Sequence, residues 1–243
     1  DPGDPLAHFE NEPSEDEKTE ANERRNFLYS ILDNAKKRIA VSSEFKRICE
    51  KAGIKNVSVQ ENKYTTMSLN TNVSDGFISD PNTIRLCHIG GMSVHKGYQL
   101  LRVAVHSIPN NLPFKFTIID HGLTDSSKNY NSKWNGYIVD FIAPIPMDQM
   151  SEFYNKQDVL LAPSIWPESF GLVSREALSA GLWVIASDAG ALAEPIKNAS
   201  DHVGSVIQPN DVQALVNALS ELPENLNKRS LDSADDRMKI KGE

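Results

Sequence analysis

Glu168 and Glu176 are separated by seven residues in the stretch Pro163-Ser164-Ile165-Trp166-Pro167-Glu168-Ser169-Phe170-Gly171-Leu172-Val173-Ser174-Arg175-Glu176. Asp158 to Ala162, just before it, is an apolar run of strand length, and Gly171 to Ala180 reads as a helix closed by Gly181. A strand–loop–helix unit of this kind offers the N–H groups of Phe170, Gly171 and Leu172 at the helix start. Together with the helix dipole they can hold an anion, and Gly171 lets a ligand approach the main chain. Stepping 100° per residue from Leu172 puts Leu172, Val173, Ala177 and Ala180 on one apolar arc, with Glu176 inside it and Ser174, Arg175 and Ser179 outside. A carboxylate on a core-facing arc is costly unless a partner satisfies it. Glu168 sits in the loop, roughly 7 Å from Glu176 along the axis. That spacing suits a ligand with a phosphate at the helix start and hydroxyls on either side, as in a nucleotide sugar. The plainer alternative is one acid near the dipole and a second paired to a lysine.

A second loop, His88-Ile89-Gly90-Gly91-Met92-Ser93-Val94-His95-Lys96-Gly97, follows the strand Ile84–Ile89. It is no Walker A loop, since the order is Lys-Gly and no Ser or Thr follows, and it lacks the G-x-G-x-x-G dinucleotide pattern. Lys96 stands at a helix start, where the dipole disfavours a cation unless an anion is present.

These loops need rigid elements to position them. The 243 residues are 40% hydrophobic and 24% charged, as expected of a soluble globular chain. The net charge of −8 and the lack of a basic stripe argue against a nucleic-acid partner. Cys49 and Cys87 have no metal or disulfide spacing and read as buried free thiols, which implies a reducing compartment. No apolar run approaches membrane-spanning length. Residues 1–26 are acidic and polar and are expected to lack stable structure. Helical spacing begins at Phe27 and runs through Leu28, Ile31, Leu32 and Ala35; a strand follows at Arg38–Ser42, a helix over Glu44–Ala52 capped by Ser43, and a strand at Val57–Val59. Polar residues 64–83 read as a linker.

From residue 84 to 222 strands and helices alternate, which implies a parallel sheet covered on both faces, with ligands at the carboxyl ends of its strands. The expected strands are Ile84–Ile89, Phe114–Asp120, Gly136–Ile142, Asp158–Ala162, Leu182–Ser187 and His202–Ile207. The expected helices are Lys96–Ser107, Met147–Asn155, Gly171–Ala180, a short one at Glu194, and Asp211–Leu222, with residues 223–243 a charged helix or tail. His121–Asn135 reads as one long loop, Trp166 and Phe170 as packing residues, and Glu194 as a surface residue.

The Pro-Ser-x-Trp-x-Glu-x-Phe-Gly pattern, the spacing of Glu168 and Glu176, and the continuation Glu176-Ala177-Leu178-Ser179-Ala180-Gly181 resemble the signature of family 4 retaining glycosyltransferases. The resemblance runs from about Ala35 to Leu222. It implies an α/β, Rossmann-like C-terminal half of a GT-B fold, plus the end of an N-terminal, acceptor-side domain in residues 1–63. By the same resemblance, Gly90, Gly91, Lys96 and the N–H groups of Phe170, Gly171 and Leu172 would hold the donor diphosphate. Ala143 and Ile145 would hold the base through backbone groups, Glu176 the ribose, and Glu168 the transferred sugar. Lys96 and Glu168 are the catalytic candidates. Gly91 departs from the family pattern, which has an arginine there, and His95 is a weak candidate to replace its charge. His121 reads as a loop histidine.

The resemblance further implies a metal-independent enzyme without a cofactor. It would transfer sugar from a nucleotide-diphosphate sugar to a saccharide or lipid-linked acceptor in surface polysaccharide synthesis, in the cytoplasm or at the inner membrane face. Peripheral membrane association would run through a part of the first domain beyond this chain. Only about the last third of that domain is present. The chain is therefore expected to be a piece of a larger protein that binds nucleotide but transfers poorly; a naturally shortened member is the alternative. Two other readings of function remain: an inactive nucleotide-sugar-binding module, and a sugar-nucleotide epimerase of the same architecture.

Overall fold

The computed structural model describes residues 13–63, 83–199 and 202–240. The expected linker lies largely outside the described residues, as do the first twelve residues of the acidic leading segment. The chain divides into two compact units, residues 1–63 and 64–243.

In the first unit, helix α1 spans Glu15–Asn34. It starts twelve residues before the apolar spacing does. The reason is a capping box: Ser14 Oγ accepts from the Glu17 N–H while the Glu17 carboxylate accepts from the Ser14 N–H. Three acids in its first turn also complement the dipole. Phe27, Leu28 and Ile31 are exposed. Strands β1 (Arg38–Ala40) and β2 (Val57–Val59) pair in parallel, connected through α2 (Ser43–Lys51). Its N-cap is Ser42 rather than Ser43, with Ser42 Oγ accepting from Phe45 N–H at 3.0 Å. Tyr29 ties α1 to this layer by donating to the Ala52 carbonyl. Cys49 is half-buried, not buried as expected, whereas Cys87 in the second unit is fully buried.

The second unit is a seven-stranded sheet: β3 (Ile84–His88), β4 (Phe114–Ile119), β5 (Tyr130–Trp134), β6 (Tyr137–Ile142), β7 (Val159–Ala162), β8 (Trp183–Ser187) and β9 (Gly204–Ile207). Their order is β5-β6-β4-β3-β7-β8-β9, all parallel except the β5–β6 pair. The chain builds outward from β3 to β4 and β6, then returns to add β7, β8 and β9 on the other side. β3 and β7 therefore flank the point where the order reverses.

The central strands are buried on both faces, so successive side chains enter alternate cores. Leu86, Val159, Leu161, Trp183 and Ile185 join one core with helices α3 (Tyr98–Ser107) and α7 (Val212–Ile240). Cys87, Leu160, Ala162, Val184 and Ala186 join the other, with α4 (Met150–Tyr154), α5 (Leu172–Ser179) and α6 (Glu194–Lys197).

Two elements differ from the sequence reading. Residues 130–134 form β5, so the expected long loop contains an antiparallel hairpin with β6. Its turn is Asn135-Gly136, with φ of 48° and 89°, a two-residue connection with both residues left-handed. Helix α7 does not stop at Leu222 but runs through Pro223 to Ile240. The stripe Leu215, Leu219, Leu222 and Leu226 is buried along one face on both sides of the proline. Proline in a helix interior costs about 3 kcal/mol, and one or two such buried leucines are worth about that much.

One ion pair locks the strands at the reversal. The Asp158 carboxylate, its side chain 1% exposed, accepts from the Arg85 N–H and from two guanidinium nitrogens at 2.8–2.9 Å. Removing the acid would take this acceptor from three donors, the Arg85 N–H and two guanidinium nitrogens. Asp158→Ala is expected to lower stability by about 3 kcal/mol or more, read as a reduced urea midpoint with an unchanged m-value; a loss under 1 kcal/mol would contradict this.

Candidate active site

The carboxyl ends of β3 and β7 each feed a loop that leads into a helix, and the two loops are fastened together. The His95 carbonyl accepts from Ile165 N–H at 2.9 Å and from Ser164 Oγ at 2.9 Å. Ser187 Oγ donates to the Ser164 carbonyl, tying in the end of β8. His88, buried at the end of β3, has Nδ1 2.9 Å from the Leu161 carbonyl and Nε2 3.1 Å from the Gly91 carbonyl. Burial lowers its pKa, opposed in part by the two carbonyls that its ring nitrogens face. The sequence placed His88 in the loop but gave it no part.

Lys96 and Glu168 meet across this junction, Nζ to Oε1 at 2.9 Å. The lysine is 43% exposed and the glutamate 17%. Glu168 is fixed at its backbone: its N–H donates to Ala189, its carbonyl accepts from Ala191 N–H, and it bridges to Gly190. Gly90 lies against Lys96 and His88, with no room for a side chain. Gly91, also buried, has φ +64° and lies against His121.

Gly171 precedes α5 with φ +69°, and a Cβ there would sit 2.8 Å from the Ala191 carbonyl and Leu192 Cα. Only glycine fits that approach. The first backbone bond of the helix is Arg175 N–H to Gly171 C=O at 3.3 Å, so the N–H groups of the first turn have no partner within the helix. Phe170 is buried, while Leu172 is 39% exposed and so does not belong to the apolar arc.

Ser174 and Arg175, expected outside the arc, are buried instead. The Arg175 guanidinium lies 4.4 Å over the Phe170 ring, donates to the Phe170 carbonyl and pairs with Glu194 at 2.9 Å. Glu194 is accordingly a half-buried partner rather than a surface residue. A 100° projection takes α5 to have one solvent face, but α6 and the segment before it cover the other side. Trp166 is not packed inside: it is 43% exposed, set edge-on to His95 at 5.5 Å.

Glu176 is buried as expected, 5% exposed, with Tyr154 Oη donating to Oε2 at 3.1 Å. Tyr154, on α4, carries no sequence signal that links it to Glu176. Burial pushes the Glu176 carboxyl above its ordinary range, partly opposed by the tyrosine. Ala143 is buried at the end of β6, and its N–H donates to Asn129 Oδ1 at 2.9 Å, so that donor already has a protein partner. Ile145 is half-buried next to it.

A largely parallel α/β sheet, covered by helices and with its strand order reversing between β3 and β7, has the fold of a GT-B glycosyltransferase domain. The chain belongs to the glycosyl transferases group 1 family, whose description matches residues 72–233. It is 37% identical over 67 residues to the lipopolysaccharide core biosynthesis mannosyltransferase of Rhizobium meliloti, covering 28% of this chain and 19% of that protein. Sucrose-phosphate synthase from Thermosynechococcus elongatus superposes with a TM-score of 0.66 at 18% identity, covering 100% of this chain and 66% of that one. The Anabaena protein HepE, solved with UDP and glucose, superposes with a TM-score of 0.61 at 20% identity, covering 85% of this chain and 58% of its own. The chain thus spans less than a third of the curated relatives it matches in sequence.

Because Glu176 holds its proton more tightly folded than unfolded, its contribution to stability is full at low pH. That contribution is lost as pH rises through the folded pKa. Glu176→Gln keeps the bond from Tyr154 but removes the ionisation. The ligand-free variant should match the parent in urea at pH 4 and be more stable at pH 8; a loss at pH 8 would show that the carboxylate is stabilising there.

Proposed function

We propose that this chain is the donor-binding portion of a retaining glycosyltransferase that takes sugar from a nucleotide-diphosphate sugar. The observation that carries this reading is the Lys96–Glu168 pair, set beside the Gly171 helix start at the strand-order reversal. A diphosphate entering here replaces Glu168 as the partner of Lys96 and meets the first-turn N–H groups of α5. Glu168, released from the lysine, then has a carboxylate available for hydroxyls of the transferred sugar. Glu176, whose Oε1 has no hydrogen bond among the described residues, takes ribose hydroxyls. The base packs near Ala143 and Ile145. Its polar contact falls to other backbone groups there, since the Ala143 N–H is engaged by Asn129.

The reaction breaks the bond from the sugar C1 to the diphosphate oxygen through an oxocarbenium-like state. An acceptor hydroxyl attacks from the face the diphosphate leaves, and its proton passes to the leaving oxygen. The residues here act by charge and position, stabilising the diphosphate as its charge develops. No metal or cofactor is assigned a step. The acceptor is a saccharide or a lipid-linked acceptor, in surface polysaccharide synthesis, in the cytoplasm or at the inner face of the membrane.

A thermal-shift panel of UDP, GDP and ADP with their sugars tests the donor site. A ligand at 100 times its dissociation constant adds about 2.7 kcal/mol of stability. Lys96→Ala should weaken the preferred nucleoside diphosphate roughly tenfold or more. Glu168→Gln should leave the diphosphate bound but remove the added affinity for its sugar. If no nucleotide shifts the melting temperature, the donor-site reading fails. In a longer form of the protein, a transferred sugar with inverted anomeric configuration, read from its proton coupling, would rule out retention.

A further inference from the structure

The family resemblance leads one to expect a side chain at position 91, where this chain has glycine, and the structure shows which group stands in that space. A Cβ built on Gly91 would lie 2.5 Å from His121 Cδ2, so the imidazole of His121 stands where a side chain at position 91 would begin. The φ of +64° at Gly91 reinforces the exchange, because a side chain there would be strained as well as obstructed. His121 lies two residues past the end of β4, a strand that pairs with β3 on one side and β6 on the other. Its loop therefore lies between the loop carrying Lys96 and the loop carrying Ala143 and Ile145. A nucleotide stretched from the base position to the α5 helix start passes over it.

The side chain is exposed, and its ring makes no hydrogen bond among the described residues. Its neighbour Asp120 is engaged elsewhere, accepting from Gly122 N–H and Tyr130 Oη. Each of the other cation-forming groups nearby contacts a further residue. Lys96 pairs with Glu168, His88 is buried beneath the loop with both nitrogens against carbonyls, and His95 packs edge-on to Trp166.

We propose that His121 is a donor-phosphate ligand of this site. It gives a ring N–H to a diphosphate oxygen and supplies the contact that Gly91 cannot. This deepens the proposed function and rests on it. In place of a long side chain from the β3 loop, the chain uses a short ring from the β4 loop, which donates one N–H when neutral and two when protonated.

The test uses whichever of UDP, GDP and ADP binds the unmodified chain best, with its monophosphate and its nucleoside, by calorimetry. His121→Ala should lose roughly tenfold in affinity for the diphosphate, the loss of a charge-assisted hydrogen bond, and be unchanged for the nucleoside. His121→Arg should restore most of it. The His121 ring 15N resonance, identified by its loss in the variant, should move with the diphosphate and stay still with the nucleoside. An unchanged ratio of diphosphate to nucleoside affinity in His121→Ala, or a ring signal indifferent to the diphosphate, overturns the assignment and leaves the donor site standing. If the unmodified chain binds none of the three, the donor-site reading falls and His121 falls with it.

Discussion

Everything at the site follows from the reversal of strand order between β3 and β7. In a parallel sheet each strand must hand its chain to a covering helix, and on either side of a reversal those helices go to opposite faces. The loops leaving β3 and β7 are thus pulled apart, and the backbone between them opens toward solvent. Here that opening is held to a fixed width. The His95 carbonyl takes donors from the other loop, buried His88 sits against carbonyls of β7 and of the β3 loop, and Arg85 and Asp158 clamp the strands beneath. Lys96 and Glu168 can then face one another over a gap set by main-chain bonds and not by their own flexible stems.

The same region concentrates charge in places where charge is costly. Arg175 and Glu194 are nearly buried and satisfy each other, and the arginine also holds the carbonyl and ring of Phe170. Such a pair contributes little net stability against a hydrophobic replacement. What it does here is fix the residue just before the helix start. Glu176 is the opposite case: a buried acid with one tyrosine hydroxyl and a raised pKa.

Much of the framework was legible in advance. The alternation of strands and helices from Ile84 onward, the placement of the glycine-led helix and the burial of Glu176 all follow from apolar spacing and glycine punctuation. Two of the misreadings had local signals that went unused. Asn135-Gly136 after the alternating Tyr130, Ser132 and Trp134 marks a hairpin, and Ser14 with Glu17 marks the start of α1. The run through Pro223 had no local signal, because the leucine stripe that carries the helix across it matters only once the sheet face is there to bury it.

By itself the sequence determined the parallel sheet, the helix start at Gly171, the inward-facing acid at Glu176 and the lysine at Lys96. Each rests on a period or on the conformational needs of one residue. Only the tertiary structure decided which side chains meet. It brought Lys96 to Glu168, Tyr154 to Glu176, Arg175 to Glu194 and His121 to Gly91. Those partners lie between 19 and 72 residues apart, each supplied by a different loop or helix. No periodicity extends across such distances; strand order and loop packing alone bring them together.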